Sequence, residues 1–222
     1  MTTSPSATLL LARHGQTVWH AENRYAGVSD IALTDEGRRQ AERLGEWAGR
    51  NPVDAIWTST MSRAMETADP ACRALGLVPL REHGLRECDF GTMEGRTLAE
   101  FAAENPERAE AYRADPVANP FPGAEDPRAA AARGTAALRR IADGHPGQRV
   151  LVVAHNTLLR LVLCELLAIP LGTYRRVLPQ LRNAAVTELN LEGEDGKGAA
   201  LLSLNVPCTP SPVRTDSSPS GD

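Results

Sequence analysis

Arg13 and His14 close a short apolar run, ATLLLAR (7–13) followed by His14, and His155 closes another, QRVLVVAH (148–155). Continuous apolar runs of this length fit strands buried on both faces. Arg63 follows a third run, VDAIWTS (53–59), and Glu87 follows the short segment around Leu85. Open α/β sheets bind ligands at the carboxyl ends of their strands, so these five side chains share one rim. Two guanidinium groups there suit a phosphoryl group, whose oxygens they grip with planar paired donors. A neutral imidazole can attack phosphorus, and a carboxyl group can protonate the leaving oxygen. No DxD pattern or acidic cluster offers Mg²⁺ ligands, so the arginines must neutralise the phosphoryl charge. The set points to metal-free phosphoryl transfer through a phosphohistidine, with no cofactor. Spacing alone does not say whether His14 or His155 attacks.

The elements that must position this set follow from apolar period and punctuation. Thr34 reads as an N-cap, with Asp35 and Glu36 in the first turn of a helix reaching Arg50. Asn51-Pro52 stops it. MSRAMETADPACRALG (61–76) reads as a helix interrupted or ended near Pro70, and LVPL and the Leu85 segment as short strands. Residues 96–143 divide into short helices, a proline-rich loop and a longer helix over 126–143. TLLRLVLCELLA (157–168) is a strongly apolar helix, and AAVTELNL and AALLSLNV read as a hairpin across GEDGKG. Strands alternating with helices predict a three-layer α/β/α sandwich. Residues 1–206 are expected as a single domain with an insert at about 96–130, and the Pro/Ser-rich residues 207–222 as a disordered tail.

Composition narrows the partners. The formal net charge of -4 argues against bulk binding to nucleic acid or an anionic membrane, which leaves a small phosphorylated metabolite in a local basic pocket. Lys197 is the only lysine, so any anion site must be built from arginine. The 4 cysteines are scattered, without the short spacings of a zinc site or a disulfide framework, so a reducing cytoplasm is expected. The N-terminus lacks the basic region and the apolar length of a signal peptide. Oligomeric state is unreadable, and a homodimer stays open.

Five ordered segments carry a resemblance. LARHGQT (11–17), LTDEGRRQA (33–41), TSTMSRAMETA (58–68), LRECDFGTMEGRT (85–97) and VVAHNTLLR (152–160) resemble the RHG, LTxxGxxQA, SSxLxRAxxTA, LxExxFGxxEG and VVAHGxxxR motifs of the histidine phosphatase superfamily. That resemblance implies a phosphoglycerate-mutase-like fold with a mostly parallel central sheet and a small helical insert near the active site. It implies His14 as the phospho-accepting nucleophile, Arg13, Arg63 and His155 as binders of the phosphoryl group, and Glu87 as the proton donor. Gly15 would let the backbone turn close to the phosphoryl group. Thr17 lies in the same loop, placed to bond phosphate oxygens, while Asn23, Arg24, Tyr25 and Gly27 would shape one wall. FPGAED (121–126) is similar to the family's PGGES loop, which brings Glu125 near the mouth and into substrate choice.

Two departures fall inside the motifs. His20 stands where the family often has an asparagine that contacts phosphoryl group or substrate. Asn156 replaces the usual glycine; the favoured reading makes it a cap for the following helix, and the other turns its amide toward substrate. Within the enzyme class, a phosphatase is preferred over a phosphoglycerate-type phosphomutase. The mutases carry Glu-Arg-His-Tyr-Gly where this chain has Glu87-Cys88-Asp89-Phe90-Gly91, and the insert here has no lysine. A non-catalytic phospho-ligand binding protein is the rival from another class. Such a protein could lose His14 or Glu87 without harm, and this chain keeps both.

Overall fold

The computed structural model describes residues 5–192 and 198–208. Six strands form one sheet: β1 (Ala7–Arg13), β2 (Ala55–Thr58), β3 (Leu80–Arg81), β4 (Arg149–Ala154), β5 (Val186–Leu191) and β6 (Ala199–Val206). Their order is β3-β2-β4-β1-β5-β6. The first four lie parallel, and β5 and β6 extend the sheet antiparallel. The register pairs Arg13 with Ala154 and Thr58 with Val153, so β1, β2 and β4 end level with one another. That alignment sets the loops carrying Arg13–His14, Ser59 and His155 side by side.

Successive side chains of a strand point to opposite faces, and β1 feeds both layers. Leu10 and Ala12 pack with Leu44 and Ala48 of α1 (Asp35–Arg50) and Ala64, Ala68 and Ala71 of α2 (Ser62–Leu75). Leu9 and Leu11 pack with the helices of the other face, α5 (Pro127–Gly144) and α6 (Asn156–Leu166), through Leu138, Ile141 and Leu158. Each such leucine, fully buried, contributes about 2 kcal/mol of transfer free energy. The result is the expected α/β/α sandwich. Thr34 caps α1 as its sequence requires, accepting the Gly37 N–H at 3.0 Å.

Helix α2 departs from expectation by running through Pro70. Proline there leaves one carbonyl of the preceding turn without its helical donor. Its ring is accommodated by Gly45 of α1, where a Cβ atom would lie 2.7 Å from the Pro70 Cβ. The close α1–α2 packing outweighs the local preference to stop. The Leu85 segment is likewise a 3₁₀ turn, His83–Leu85, and not a strand, because Glu82 folds back to accept the Gly84 N–H.

The insert holds α3 (Leu98–Glu104) and α4 (Pro106–Ala114), with Pro106 at the first helical position of α4. The loop after them is fixed by aromatic contacts: Phe121 stacks on Tyr112 at 4.0 Å and meets Tyr25 and Phe101 edge-on, each at 5.2 Å. A short helix, α7 (Tyr174–Val177), follows α6. Of the expected tail, Cys208 is buried against the α1/α2 layer, so the chain is packed to that point; 209–222 lie outside the described residues, as does most of the GEDGKG turn. Among the described residues, no helix is long and apolar enough to cross a membrane.

Candidate active site

Three strand ends and one helix N-terminus converge on the two histidines. His14 follows β1 and is held on the sheet edge by its own N–H, which donates to the Ala154 carbonyl at 3.0 Å. His155 follows β4, and its ring centroid lies 5.1 Å from that of His14. Both rings are buried. The two differ in what their nitrogens touch.

His14 Nδ1 lies 2.7 Å from the Gly15 carbonyl, which can only accept, so the proton sits on Nδ1. Nε2 then carries the free lone pair and makes no hydrogen bond to the described residues. His155 has both nitrogens occupied. Arg63 Nε donates to Nδ1 at 3.3 Å, and Nε2 faces the Ser59 hydroxyl at 2.8 Å. Burial, then His155, Arg13 and Arg63, hold the His14 pKa well below the ordinary histidine value. Burial, then Arg63, Arg13 and Arg133, do the same for His155. Both imidazoles are therefore neutral near pH 7.

The cations come from either side. Arg63, wholly buried on α2, donates from Nη1 to the Ser29 carbonyl at 2.7 Å and from Nη2 to the Gly27 and Ala26 carbonyls at 2.8 and 3.2 Å. One Nη1 hydrogen stays outside these contacts. Arg13 donates from Nη1 to the Leu181 carbonyl at 2.9 Å, and its Nη2 meets His20 Nε2 at 2.5 Å. Its Nε is buried with no hydrogen-bond partner. Burial, opposed by Glu87 and reinforced by Arg160 and Arg63, lowers the Arg13 pKa to about 10, which still leaves it charged.

Glu87 takes the place that sequence reading favoured for Asn156. Helix α6 starts with His155 in the capping position and no side-chain bond from it. The Glu87 carboxylate supplies the missing acceptor, taking the Thr157 N–H on Oε2 at 2.9 Å and the Leu158 N–H on Oε1 at 2.8 Å. Oε1 also accepts the Cys88 N–H at 3.0 Å. Its oxygens thus satisfy backbone donors that the start of a helix leaves without partners. Asn156 is not the cap: its Oδ1 is buried without a partner.

The other expected residues fall into three groups. Thr17 and His20 face each other beside Arg13: the Thr17 N–H donates to His20 Nδ1 at 2.9 Å, and the Thr17 hydroxyl lies 2.8 Å from the same nitrogen. Gly27 sits in the loop gripped by Arg63, and a Cβ there would come within 2.2 Å of the Cys88 carbonyl oxygen. Gly15 is also required by crowding and not by a left-handed turn, since its Cβ would approach the Gly37 oxygen to 2.5 Å. Tyr25 turns its hydroxyl to Tyr112 at 3.3 Å and packs in the insert's aromatic cluster. Glu125 forms a two-point ion pair with Arg133, both distances 2.9 Å, with Arg86 at 3.4 Å; this ties the insert to α5.

Three residues escaped sequence reading. Ser59 orients His155, and its only signal is its place in the TSTMSRA segment. Asn183, in an unpatterned loop, donates to the His14 carbonyl at 2.7 Å. Glu94 collects the N–H groups of Gly27, Val28 and Ser29 and the Ser29 hydroxyl, the last at 2.6 Å. Glu94 thus holds by its N–H groups the same loop that Arg63 holds by its carbonyls. Among the described residues no group of three or more His, Cys, Asp or Glu side chains is arranged to hold a metal ion.

Residues 9–205 match the family model of the histidine phosphatase superfamily (branch 1). The chain belongs to that superfamily. This histidine phosphatase is 34% identical over 157 residues to the phosphoglycerate mutase-like protein 4 of Arabidopsis thaliana, covering 69% of this chain and 68% of that one. It is 35% identical over 186 residues to a bifunctional protein of Mycobacterium tuberculosis, covering 83% of this chain but only 51% of the relative, so it spans about half of that protein's length. Among solved structures it is similar to a mycobacterial glucosyl-3-phosphoglycerate phosphatase, with a TM-score of 0.81 and 28% identity, over 90% of this chain and 98% of the other. The histidine phosphatase fold thus spans nearly all of the described residues.

Proposed function

We propose that the chain is a metal-independent phosphatase that hydrolyses a small phosphorylated metabolite, a sugar phosphate or phosphoglycerate-like monoester, through a phosphohistidine on His14. The observation that carries this reading is the asymmetry of the two histidines. His14 offers an unprotonated, unpartnered Nε2, whereas both nitrogens of His155 are taken by protein groups. Family membership and the glucosyl-3-phosphoglycerate phosphatase likeness support the substrate class.

In the first step His14 Nε2 attacks phosphorus and the bond to the leaving oxygen breaks. The Gly15 carbonyl stabilises the charge that develops on the imidazole through Nδ1–H. Arg13, with its unpartnered Nε, and Arg63 stabilise the equatorial oxygens. Glu87 gives the leaving oxygen a proton. Oε2 holds one backbone N–H and Oε1 two, so a proton on Oε2 disturbs none of the helix-end bonds. In the second step water attacks phosphorus, Glu87 takes its proton, and phosphate leaves His14 free.

The test is release of inorganic phosphate from p-nitrophenyl phosphate and from 3-phosphoglycerate in excess EDTA. Turnover is expected with both. Isomerisation of phosphoglycerate without free phosphate would instead establish a mutase, and loss of all activity to the chelator would remove the metal-free mechanism.

A further inference from the structure

We propose that the cleft between α1 and segment 180–185 is a second anion-binding site, fitted to a small oxyanion such as inorganic phosphate, and that an anion there acts on Arg13 and His14 through that segment. The site stands apart from the phosphatase reading, whereas its effect on turnover rests on it.

The cleft has a volume of about 300 Å³, the size of a small-ligand pocket. Gln40 and Arg43 of α1 line one wall, and Gln180, Arg182 and Asn183 line the other, with no carboxylate among the lining residues. The Arg182 backbone N–H donates to Asn205 Oδ1 at 2.7 Å, but its exposed guanidinium has no ion pair or hydrogen bond among the described residues. Arg43 meets Glu36 through Nη2 alone, at 2.6 Å, and its other N–H groups stay outside that pair. Two guanidinium groups with a single carboxylate between them leave a net positive charge at the cleft. Arginine forks and side-chain amides together offer the donors that an oxyanion needs.

The segment that carries Arg182 also grips the end of β1. The Leu181 carbonyl accepts Arg13 Nη1 at 2.9 Å, and the Ala184 N–H donates to the Arg13 carbonyl at 2.8 Å. Between them, Asn183 Nδ2 donates to the His14 carbonyl at 2.7 Å. From the opposite wall, Gln40 accepts the Gln16 N–H at 2.8 Å. Both walls of the cleft thus hold the backbone on which Arg13 and His14 stand. Ala184 keeps its place at a φ of 53°, in the left-handed region that a residue with a Cβ seldom enters. Backbone strain of this kind persists only where surrounding contacts impose it. An anion bridging Arg182 to α1 adds such a contact, and so braces the groups that orient Arg13 and His14.

Calorimetric titration with inorganic phosphate tests the site. Two phosphates should bind each wild-type chain, one in the phosphoryl pocket and one in the cleft. Arg182→Gln should weaken one of them about tenfold and leave the other unchanged, and Arg182→Glu should abolish that same one. A single phosphate on the wild type, or two with unaltered affinity in Arg182→Glu, would overturn the proposal. Kinetics with p-nitrophenyl phosphate tests the coupling. Phosphate competing in the phosphoryl pocket raises KM alone, whereas filling the cleft should also raise kcat, by about threefold. That rise should vanish in Arg182→Gln, which keeps the basal kcat; a wild-type kcat indifferent to phosphate would overturn the coupling. Two bound phosphates without hydrolysis would sink the phosphatase reading and leave the site standing. Hydrolysis with only one bound phosphate would do the reverse.

Discussion

Arg63 and His155 are joined by a single contact that settles the protonation of the second histidine. The guanidinium Nε donates to Nδ1 at 3.3 Å, so the imidazole proton lies on Nε2 and points to Ser59. The donor that His155 can offer a phosphoryl oxygen is therefore held by a serine hydroxyl when no ligand is present.

Ser59→Ala should leave that N–H buried without an acceptor, at a cost of about 1–3 kcal/mol. Thermal unfolding should show the loss, and saturating inorganic phosphate should recover part of it by accepting the same N–H. Equal destabilisation with and without phosphate would mean that Nε2 does not face the ligand.

Glu87→Gln separates proton donation from binding. Alkyl phosphates, whose leaving oxygen needs a proton, should lose about 100-fold or more in kcat, and p-nitrophenyl phosphate less than about tenfold. A uniform loss across leaving groups would assign Glu87 only to the α6 terminus that it caps.

Glu94→Ala should free the loop at residues 26–29, which then relies on Arg63 alone. Several hydrogen bonds to one carboxylate are lost, so stability should fall by about 2 kcal/mol or more, with kcat/KM falling alongside. Denaturant titration and limited proteolysis within this loop check it. Proteolysis unchanged from wild type would show that Arg63 suffices.

Acid should weaken the fold through the histidines. His20, held at about 4 by burial and Arg13, and His14 and His155, held well below the ordinary value, bind fewer protons folded than unfolded. Unfolding then takes up protons as pH falls below about 6.5, so stability present above that pH is lost progressively, for His20 down to about pH 4. Midpoints of thermal unfolding from pH 7 to 4 should decline, and less steeply in His20→Gln. Identical slopes would place the titration elsewhere.

Much of this was legible in the chain. The runs ending at Arg13 and His155 announced parallel strands, because strands buried on both faces need continuous apolar sequence, and their ends announced the rim. The helix start at Thr34 was legible because capping is local. Pro70 misled because its tolerance depends on Gly45, on a different helix 25 positions earlier in the sequence. Asn156 misled for a similar reason: its local pattern fits a cap, but Glu87 reaches the helix end from a distant segment and satisfies the same donors. Asn183 left no trace, since a side-chain amide bonded to a backbone carbonyl needs no motif. Local rules fail where a remote group arrives with the same hydrogen bond.

The assignment of His14 as nucleophile is tested most directly by trapping. Protein mixed with a labelled phosphate ester in excess EDTA, quenched at high pH within the first turnover and digested, should carry an acid-labile phosphate on the peptide containing His14. His155→Ala should retain that label and His14→Ala should lose it. A phosphoenzyme that survives in His14→Ala, or one mapped to His155, would contradict the mechanism.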